Sequence, residues 1–123
     1  MKALVVDDSA VMRKIVIAAL AKMDVSDVCQ AGDGKEAVVQ AMIQNPDLIL
    51  MDWNMPVMSG LDALRAIRAT GNKVPVIMVT TEAERSRVIE AIKTGASNYI
   101  VKPFRPEALA TKIQETMSRL NAG

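Results

Sequence analysis

The side chains best suited to chemistry come at the ends of short apolar runs. Asp7 and Asp8 follow the first run, and Asp52 closes the third. Thr80 closes the fourth run, and Lys102 follows the fifth. Carboxylates that lie close together raise one another's pKa, so a fold tolerates them best around a bound cation. Oxygen ligands with open water positions favour Mg²⁺ there, with Mn²⁺ as the alternative.

A lysine and a threonine complete this set. Lys102 would supply a positive charge for an anion in the same crevice, and Thr80 would supply a hydroxyl donor. A divalent metal, a lysine, a hydroxyl donor and a carboxylate nucleophile are the groups that phosphoryl transfer uses. Singly, each has a plainer explanation, since an aspartate before a helix favours its N-terminus and most lone lysines are solvated. Their recurrence at the ends of the apolar runs indicates a site.

The composition excludes several other kinds of site. The chain of 123 residues contains no histidine, which excludes a histidine general base, a Ser-His-Asp triad and histidine-bound zinc or haem. Its single cysteine cannot form an internal disulfide. With 15 basic and 14 acidic residues the net charge is +1, without a basic run. No glycine-rich nucleotide motif follows the first run, and no apolar stretch approaches the roughly 18 residues of a membrane span. We therefore expect neither a nucleic-acid nor a membrane partner.

The elements that must position these residues alternate regularly. Strands are predicted at residues 3–7, 27–31, 47–52, 74–80 and 97–101, each followed by a helical pattern. Ser9, Asp33 and Thr81 are the predicted N-caps, the last two in capping boxes, and Pro106 begins the last helix. Strict alternation predicts an α/β fold, a doubly wound parallel sheet with helices on both faces. The carboxyl ends of its strands meet at one edge, where ligands bind.

Short segments with a specific pattern run through the chain. They are Val5-Val6-Asp7-Asp8-Ser9, Asp52-Trp53-Asn54-Met55-Pro56 with Ser59-Gly60, Val79-Thr80-Thr81-Glu82, Gly95-Ala96 with Tyr99, and Lys102-Pro103-Phe104. In this order they closely resemble the receiver domain of two-component response regulators, especially its single-domain chemotaxis type. The resemblance covers residues 2–120 and implies a flavodoxin-like, five-stranded parallel sheet in the order 2-1-3-4-5, flanked by five helices. It implies one receiver domain over residues 1–123, which we expect to be a cytoplasmic monomer.

The resemblance also implies roles for the acidic residues. Asp52 would be the phosphoacceptor. Asp8, Asp52 and the backbone carbonyl of Asn54 would bind Mg²⁺ directly, whereas Asp7 would act through a water. The attack would then be made by a carboxylate while the metal neutralises the phosphoryl oxygens, and the product would be a transient acyl phosphate.

Further residues are implied to hold the phosphoryl group and to respond to it. Lys102, next to a cis Lys102–Pro103 bond, would hold one oxygen. The Thr80 hydroxyl and the backbone N–H of Thr81 would hold others. Thr80 would move toward the phosphoryl group and Tyr99 would turn inward, which biases a two-state equilibrium.

The same resemblance implies which residues tune the rate of dephosphorylation and which form the partner face. Asn54 and Glu82 match positions that tune the rate, and Thr81 occupies a position that is often alanine or glycine in the family. The bulk of Thr81 would slow attack by water on the phosphoryl group, unless Thr81 serves only as a helix cap. The partner face would be formed by helix four, strand five and helix five, at the positions Ala83, Val88, Tyr99, Val101 and Lys112.

Several functions share these residues. The first is a stand-alone switch in chemotaxis, which a sensor histidine kinase phosphorylates and a protein such as a flagellar motor switch component reads. A phosphatase is a further expected partner. The second is a phosphorelay shuttle that passes the group to a histidine phosphotransfer protein. The third is a fragment of a longer regulator. A phosphatase with an aspartate nucleophile is disfavoured, because Asn54 stands where such an enzyme needs a second acid. We expect that the protein is not an enzyme, except that it catalyses its own phosphorylation and autodephosphorylation.

Overall fold

The fold alternates strands and helices, as predicted. The structure, a computed structural model, describes residues 1–81 and 86–122 of the chain. The strands are β1 Lys2–Val6, β2 Asp27–Ala31, β3 Leu48–Asp52, β4 Val76–Thr81 and β5 Asn98–Lys102. The helices in the described residues are α1 Ala10–Ala21, α2 Gly34–Gln44, α3 Gly60–Ala69, α4 Val88–Thr94 and α5 Pro106–Ala122. Within the same residues, none of these helices combines the length and apolar composition needed to cross a bilayer.

The strands form one parallel sheet in the order β2-β1-β3-β4-β5, which confirms the implied order. Val6 pairs with Met51, and Asp52 pairs with Val79. Thr80 pairs with Val101 in the last ladder. Because the strands are parallel and in register, their carboxyl ends lie at one edge, and the residues that follow them are neighbours there.

Two apolar clusters hold the helices against the two faces of the sheet. Leu4 and Val6 of β1 face the cluster under α2, α3 and α4, whereas Ala3 and Val5 face the cluster under α1 and α5. β3 is buried along its whole length, as expected for a central strand of a parallel sheet covered on both faces. The core thus fixes β3, which ends in Asp52, more firmly than an edge strand could be fixed.

Local signals at the helix ends agree with the structure in most places. Ser9 and Asp33 are N-caps whose side chains accept backbone N–H bonds, and Gly95 caps α4 with a left-handed φ of 119°. Thr81, another predicted cap, is the last residue of β4 and pairs with Lys102. The described part of α4 begins at Val88, and the remaining residues of that capping box, 82–84, lie outside the described residues.

Candidate functional site

Three carboxylates meet at the carboxyl edge of the sheet. Asp7 and Asp8 follow β1, Asp52 ends β3, and one oxygen of each lies within 4.8 Å of the others. Asp7 and Asp52 are only 5% and 6% exposed, whereas Asp8 is exposed. Oxygen ligands at this spacing, one of them open to solvent, fit a small divalent cation such as Mg²⁺ that keeps several waters. The acidic residues that the sequence predicted are therefore brought together.

The backbone around Asp7 is held by hydrogen bonds on several sides. Its N–H donates to the carbonyl of Ala31 at 3.2 Å, and its own carbonyl accepts from Arg13 Nη1 at 2.6 Å. The backbone N–H of Ser9 donates to Oδ1 of Asp7 at 2.9 Å. These bonds orient the carboxylate toward the carboxyl edge, so Arg13 is a supporting residue that sequence reasoning missed.

Asp52 uses one of its two carboxylate oxygens for its contacts. Its Oδ1 accepts from the backbone N–H of Trp53 at 3.0 Å and lies 3.0 Å from Nζ of Lys102. Burial raises the pKa of Asp52 above its ordinary value; the hydrogen bond from Lys102 lowers it, and the charge of Asp7 raises it further. Within the described residues, both of these contacts are made by Oδ1.

Lys102 balances part of this negative charge. Its Nζ lies 3.0 Å from Asp52 Oδ1 and 3.4 Å from Asp7 Oδ2. Burial lowers the pKa of the lysine, but the hydrogen bond and charge of Asp52, together with those of Asp7, outweigh it and leave the pKa raised. The peptide bond between Lys102 and Pro103 is cis, as the resemblance implied. A charged ammonium therefore stands between two of the predicted metal ligands.

The threonines at the end of β4 lie beside this cluster. Thr80 is fully buried, and its hydroxyl donates to the carbonyl of Thr81 at 2.9 Å. Thr81 is exposed at the same edge. In this structure the Thr80 hydroxyl thus satisfies a neighbouring carbonyl. It would have to rotate before it could donate to a group bound at Asp52.

Part of the predicted partner face is assembled on one side of the molecule. The ammonium of Lys112 lies 4.7 Å from the ring centroid of Tyr99, a cation–π contact between α5 and β5. Val88, Tyr99, Val101 and Lys112 are all half-buried. Ala83, another predicted contact, and Glu82, a predicted rate-tuning residue, lie outside the described residues.

Other polar contacts near these residues were not anticipated. The guanidinium of Arg87 lies 4.8 Å from the centroid of the Trp53 ring, which is only 1% exposed. Asn98 Nδ2 donates to Thr116 Oγ1 at 3.1 Å, and both residues are buried. A single arginine, asparagine or threonine has no spacing that distinguishes it in a sequence, so no local signal could have identified these contacts.

Comparison with known proteins agrees with the geometry. The sequence matches the family described as the response regulator receiver domain over residues 3–114. It is 42% identical to the chemotaxis protein CheY of Pseudomonas aeruginosa over 98% of this chain and 99% of that protein. It is 44% identical to CheY1 of Helicobacter pylori, covering 93% and 94% of the two chains. The solved structure of Vibrio cholerae CheY4 superposes with a TM-score of 0.86 at 37% identity, covering 94% of this chain and 97% of that one. The chain belongs to the response regulator receiver domain family.

Proposed function

We propose that this protein is a phosphorylation-activated switch in chemotaxis and that Asp52 accepts the phosphoryl group. The observation that carries the proposal is the position of Asp52, which is buried beside Asp7, Asp8 and Lys102 and contacts Lys102 through Oδ1. The relatives named as chemotaxis proteins match nearly the whole chain and support the pathway.

The transfer follows from the groups at the site. Oδ2 of Asp52 attacks the phosphorus of a phosphohistidine on a sensor kinase; the bond to the histidine nitrogen breaks, and an acyl phosphate forms. Lys102 is already within reach of the cluster and neutralises charge on a transferred oxygen. The backbone N–H of Thr81 is the proposed donor to another oxygen.

Mg²⁺ is the proposed cofactor, with Mn²⁺ as a substitute. Asp8, Asp52 and the backbone carbonyl of Asn54 would hold it, and Asp7 would act through a water. Bound there, the metal neutralises negative charge that develops on the phosphoryl oxygens. Among the protein groups, Asp7 is oriented by Ser9 and Arg13, so its carboxylate needs little rearrangement.

The proposed response begins at Thr80 and ends at Tyr99. The Thr80 hydroxyl leaves the Thr81 carbonyl and donates to the phosphoryl group, and Tyr99 turns inward. This shifts an equilibrium between two states of the face that contains Val88, Tyr99 and Lys112, and with it the affinity for a protein such as a flagellar motor switch component. Ala83 and Val101 complete that proposed face.

The phosphoryl group is proposed to be lost by hydrolysis at the same site, with or without a separate phosphatase. Asn54 and Glu82 would tune the rate, and the bulk of Thr81 would slow it. The protein thus catalyses only its own modification. A phosphorelay shuttle uses the same residues, but none of the observations favours it over the switch. The cytoplasmic location, the monomeric state and the single-domain extent over residues 1–123 stay predictions.

The test is phosphate incorporation from a small phosphodonor in the presence of Mg²⁺. We expect one phosphoryl group per chain in the parent and in Asp62→Asn, which removes an exposed carboxylate on α3, but none in Asp52→Asn. The emission of Trp53, the only tryptophan, should change only when phosphate is incorporated. Equal incorporation into Asp52→Asn and the parent would overturn the assignment of the phosphoacceptor.

A further inference from the structure

The tryptophan beside the phosphoacceptor is in contact with the start of α4. The backbone N–H of Trp53 donates to Oδ1 of Asp52 at 3.0 Å, and its ring lies under the guanidinium of Arg87 at 4.8 Å. Trp53 is only 1% exposed, although the side chain of Arg87 is about half exposed. One residue therefore touches the proposed nucleophile with its backbone and α4 with its ring.

Helix formation alone does not account for an arginine at this position. Arg87 occupies the N-cap of α4 and makes no side-chain capping hydrogen bond. A positive charge at a helix N-terminus is disfavoured by the helix dipole. Glu90, 3.7 Å from Nε of Arg87, offsets part of that cost. The contact with the Trp53 ring is a second interaction of this guanidinium within the described residues.

The opposite end of α4 is fixed by a second arginine. Arg68 of α3 donates from Nε and Nη2 to the carbonyl of Gly95, at 3.1 and 2.9 Å, and from Nη1 to the carbonyl of Asn72 at 3.0 Å. A Cβ at Gly95 would lie 3.0 Å from Nε of Arg68, so the glycine also permits the close approach. Charge-assisted hydrogen bonds of this kind are stronger than one partly exposed cation–π contact.

We propose that Arg87 is a positioning residue that couples α4 to the Asp52–Trp53 segment. The Arg68–Gly95 contact is the fixed end of the helix, and the Arg87–Trp53 contact is the end that responds when Asp52 carries a phosphoryl group. The inference rests on the proposed function and adds a route from the modified residue to the partner face. Loss of a single exposed cation–π contact should change the balance between two states of α4 by roughly 2- to 5-fold.

The first experiment tests the contact without any phosphodonor. Arg87→Gln removes the charge, Arg87→Lys keeps it, and Lys93→Gln removes a charge from the last turn of the same helix. We expect the emission of Trp53 to shift to longer wavelength in Arg87→Gln, since its ring becomes more exposed. Arg87→Lys should shift less, and Lys93→Gln should match the parent. Identical emission in all four proteins would overturn the proposal.

The second experiment tests the coupling. The chain has a single tyrosine, so 3-fluorotyrosine incorporation gives one ¹⁹F resonance, which reports Tyr99. In the proposed coupling, Arg87→Gln incorporates as much phosphate as the parent, but its Tyr99 resonance shows a population ratio changed roughly 2- to 5-fold. If Arg87→Gln and the parent incorporate equal phosphate and show the same Tyr99 response, the role of Arg87 is overturned but the proposed function is not. No incorporation into the parent would overturn the proposed function, and this inference with it.

Discussion

Nζ of Lys102 lies 3.0 Å from Oδ1 of Asp52, although β4 separates the strands that carry the two residues. The long lysine side chain spans the intervening strand and brings a positive charge to a carboxylate that burial would otherwise leave uncompensated. Since the same ammonium lies 3.4 Å from Asp7, it is shared between two acidic groups. A bound phosphoryl group or cation would compete for these same contacts.

Replacing this lysine should slow phosphorylation strongly. Lys102→Met removes the ammonium and keeps much of the side-chain volume. We expect the rate of phosphate incorporation from a small donor to fall by about 10²-fold or more, as when one charge-stabilising donor is removed from an active site. Lys93→Met, on the exposed side of α4, should keep the parental rate. A rate within a factor of three of the parent in Lys102→Met would contradict a role in holding the transferred group.

Removing the charge of Asp52 should stabilise the metal-free protein at neutral pH. Burial raises its pKa above the ordinary 3.8, so the stability it contributes is present below pH 3.8, where it is protonated, and is lost as the pH rises through the raised pKa. Asp52→Asn is neutral throughout, and Lys102 keeps Asp7 as a partner. Urea unfolding with a chelator should therefore give the variant the larger free energy of unfolding at pH 7, with a smaller difference at pH 3.

The control for this pH dependence is Asp62→Asn, whose carboxylate is exposed and paired with Arg65 at 2.8 Å. The free energy of unfolding of this variant should not rise above that of the parent at pH 7 and then match it in acid. If Asp52→Asn is instead less stable than the parent at pH 7, the ion pair with Lys102 outweighs the cost of burial.

Divalent metal should stabilise the parent increasingly as its free concentration rises above the dissociation constant. Binding to the folded state alone adds about 2.7 kcal/mol at a free Mg²⁺ concentration 100 times the dissociation constant. Thermal unfolding with increasing Mg²⁺ should show a rising midpoint that a chelator reverses. Asp8→Asn, which removes the exposed member of the cluster, should weaken this response, whereas Asp62→Asn should not. The same response in Asp8→Asn and the parent would place the metal elsewhere.

The buried pair that joins β5 to α5 should be sensitive to loss of one partner. Thr116→Val leaves Nδ2 of Asn98 with only Glu115, at 3.4 Å, as a described acceptor. We expect a loss of about 1–3 kcal/mol in the free energy of unfolding, which is the cost of an unsatisfied buried polar group. Thr111→Val, five residues earlier on the exposed side of α5, should change the free energy of unfolding by less than about 0.5 kcal/mol. Equal losses in the two variants would show that the Asn98 contact contributes nothing specific.

The parts of the fold and site that could be predicted depend on periodicity and on strand ends. Apolar runs followed by Asp7, Asp52 and Lys102 need only the parallel topology to bring those residues together. The cap predicted at Thr81 stays a prediction: Thr81 ends β4 and pairs with Lys102, and the rest of its capping box lies outside the described residues.

Contacts between distant elements could not be predicted in the same way. Arg87 lies over Trp53, and Arg68 reaches Gly95, because α3 and α4 pack on the same face of the sheet. Neither arginine stands at a spacing that indicates its partner. Only the packed structure determines which carbonyl or ring a long cationic side chain reaches.

β5 carries both Lys102, which contacts the proposed phosphoacceptor, and Tyr99, which belongs to the proposed partner face. The two residues are three positions apart, so about 10 Å of one strand separates input from readout. β5 is also the last strand of the sheet, and within the part of the chain that the structure describes it pairs only with β4. A displacement of this strand requires adjustment of a single ladder. We therefore expect a displacement at Lys102 to reach Tyr99 through one strand that is held by a single ladder.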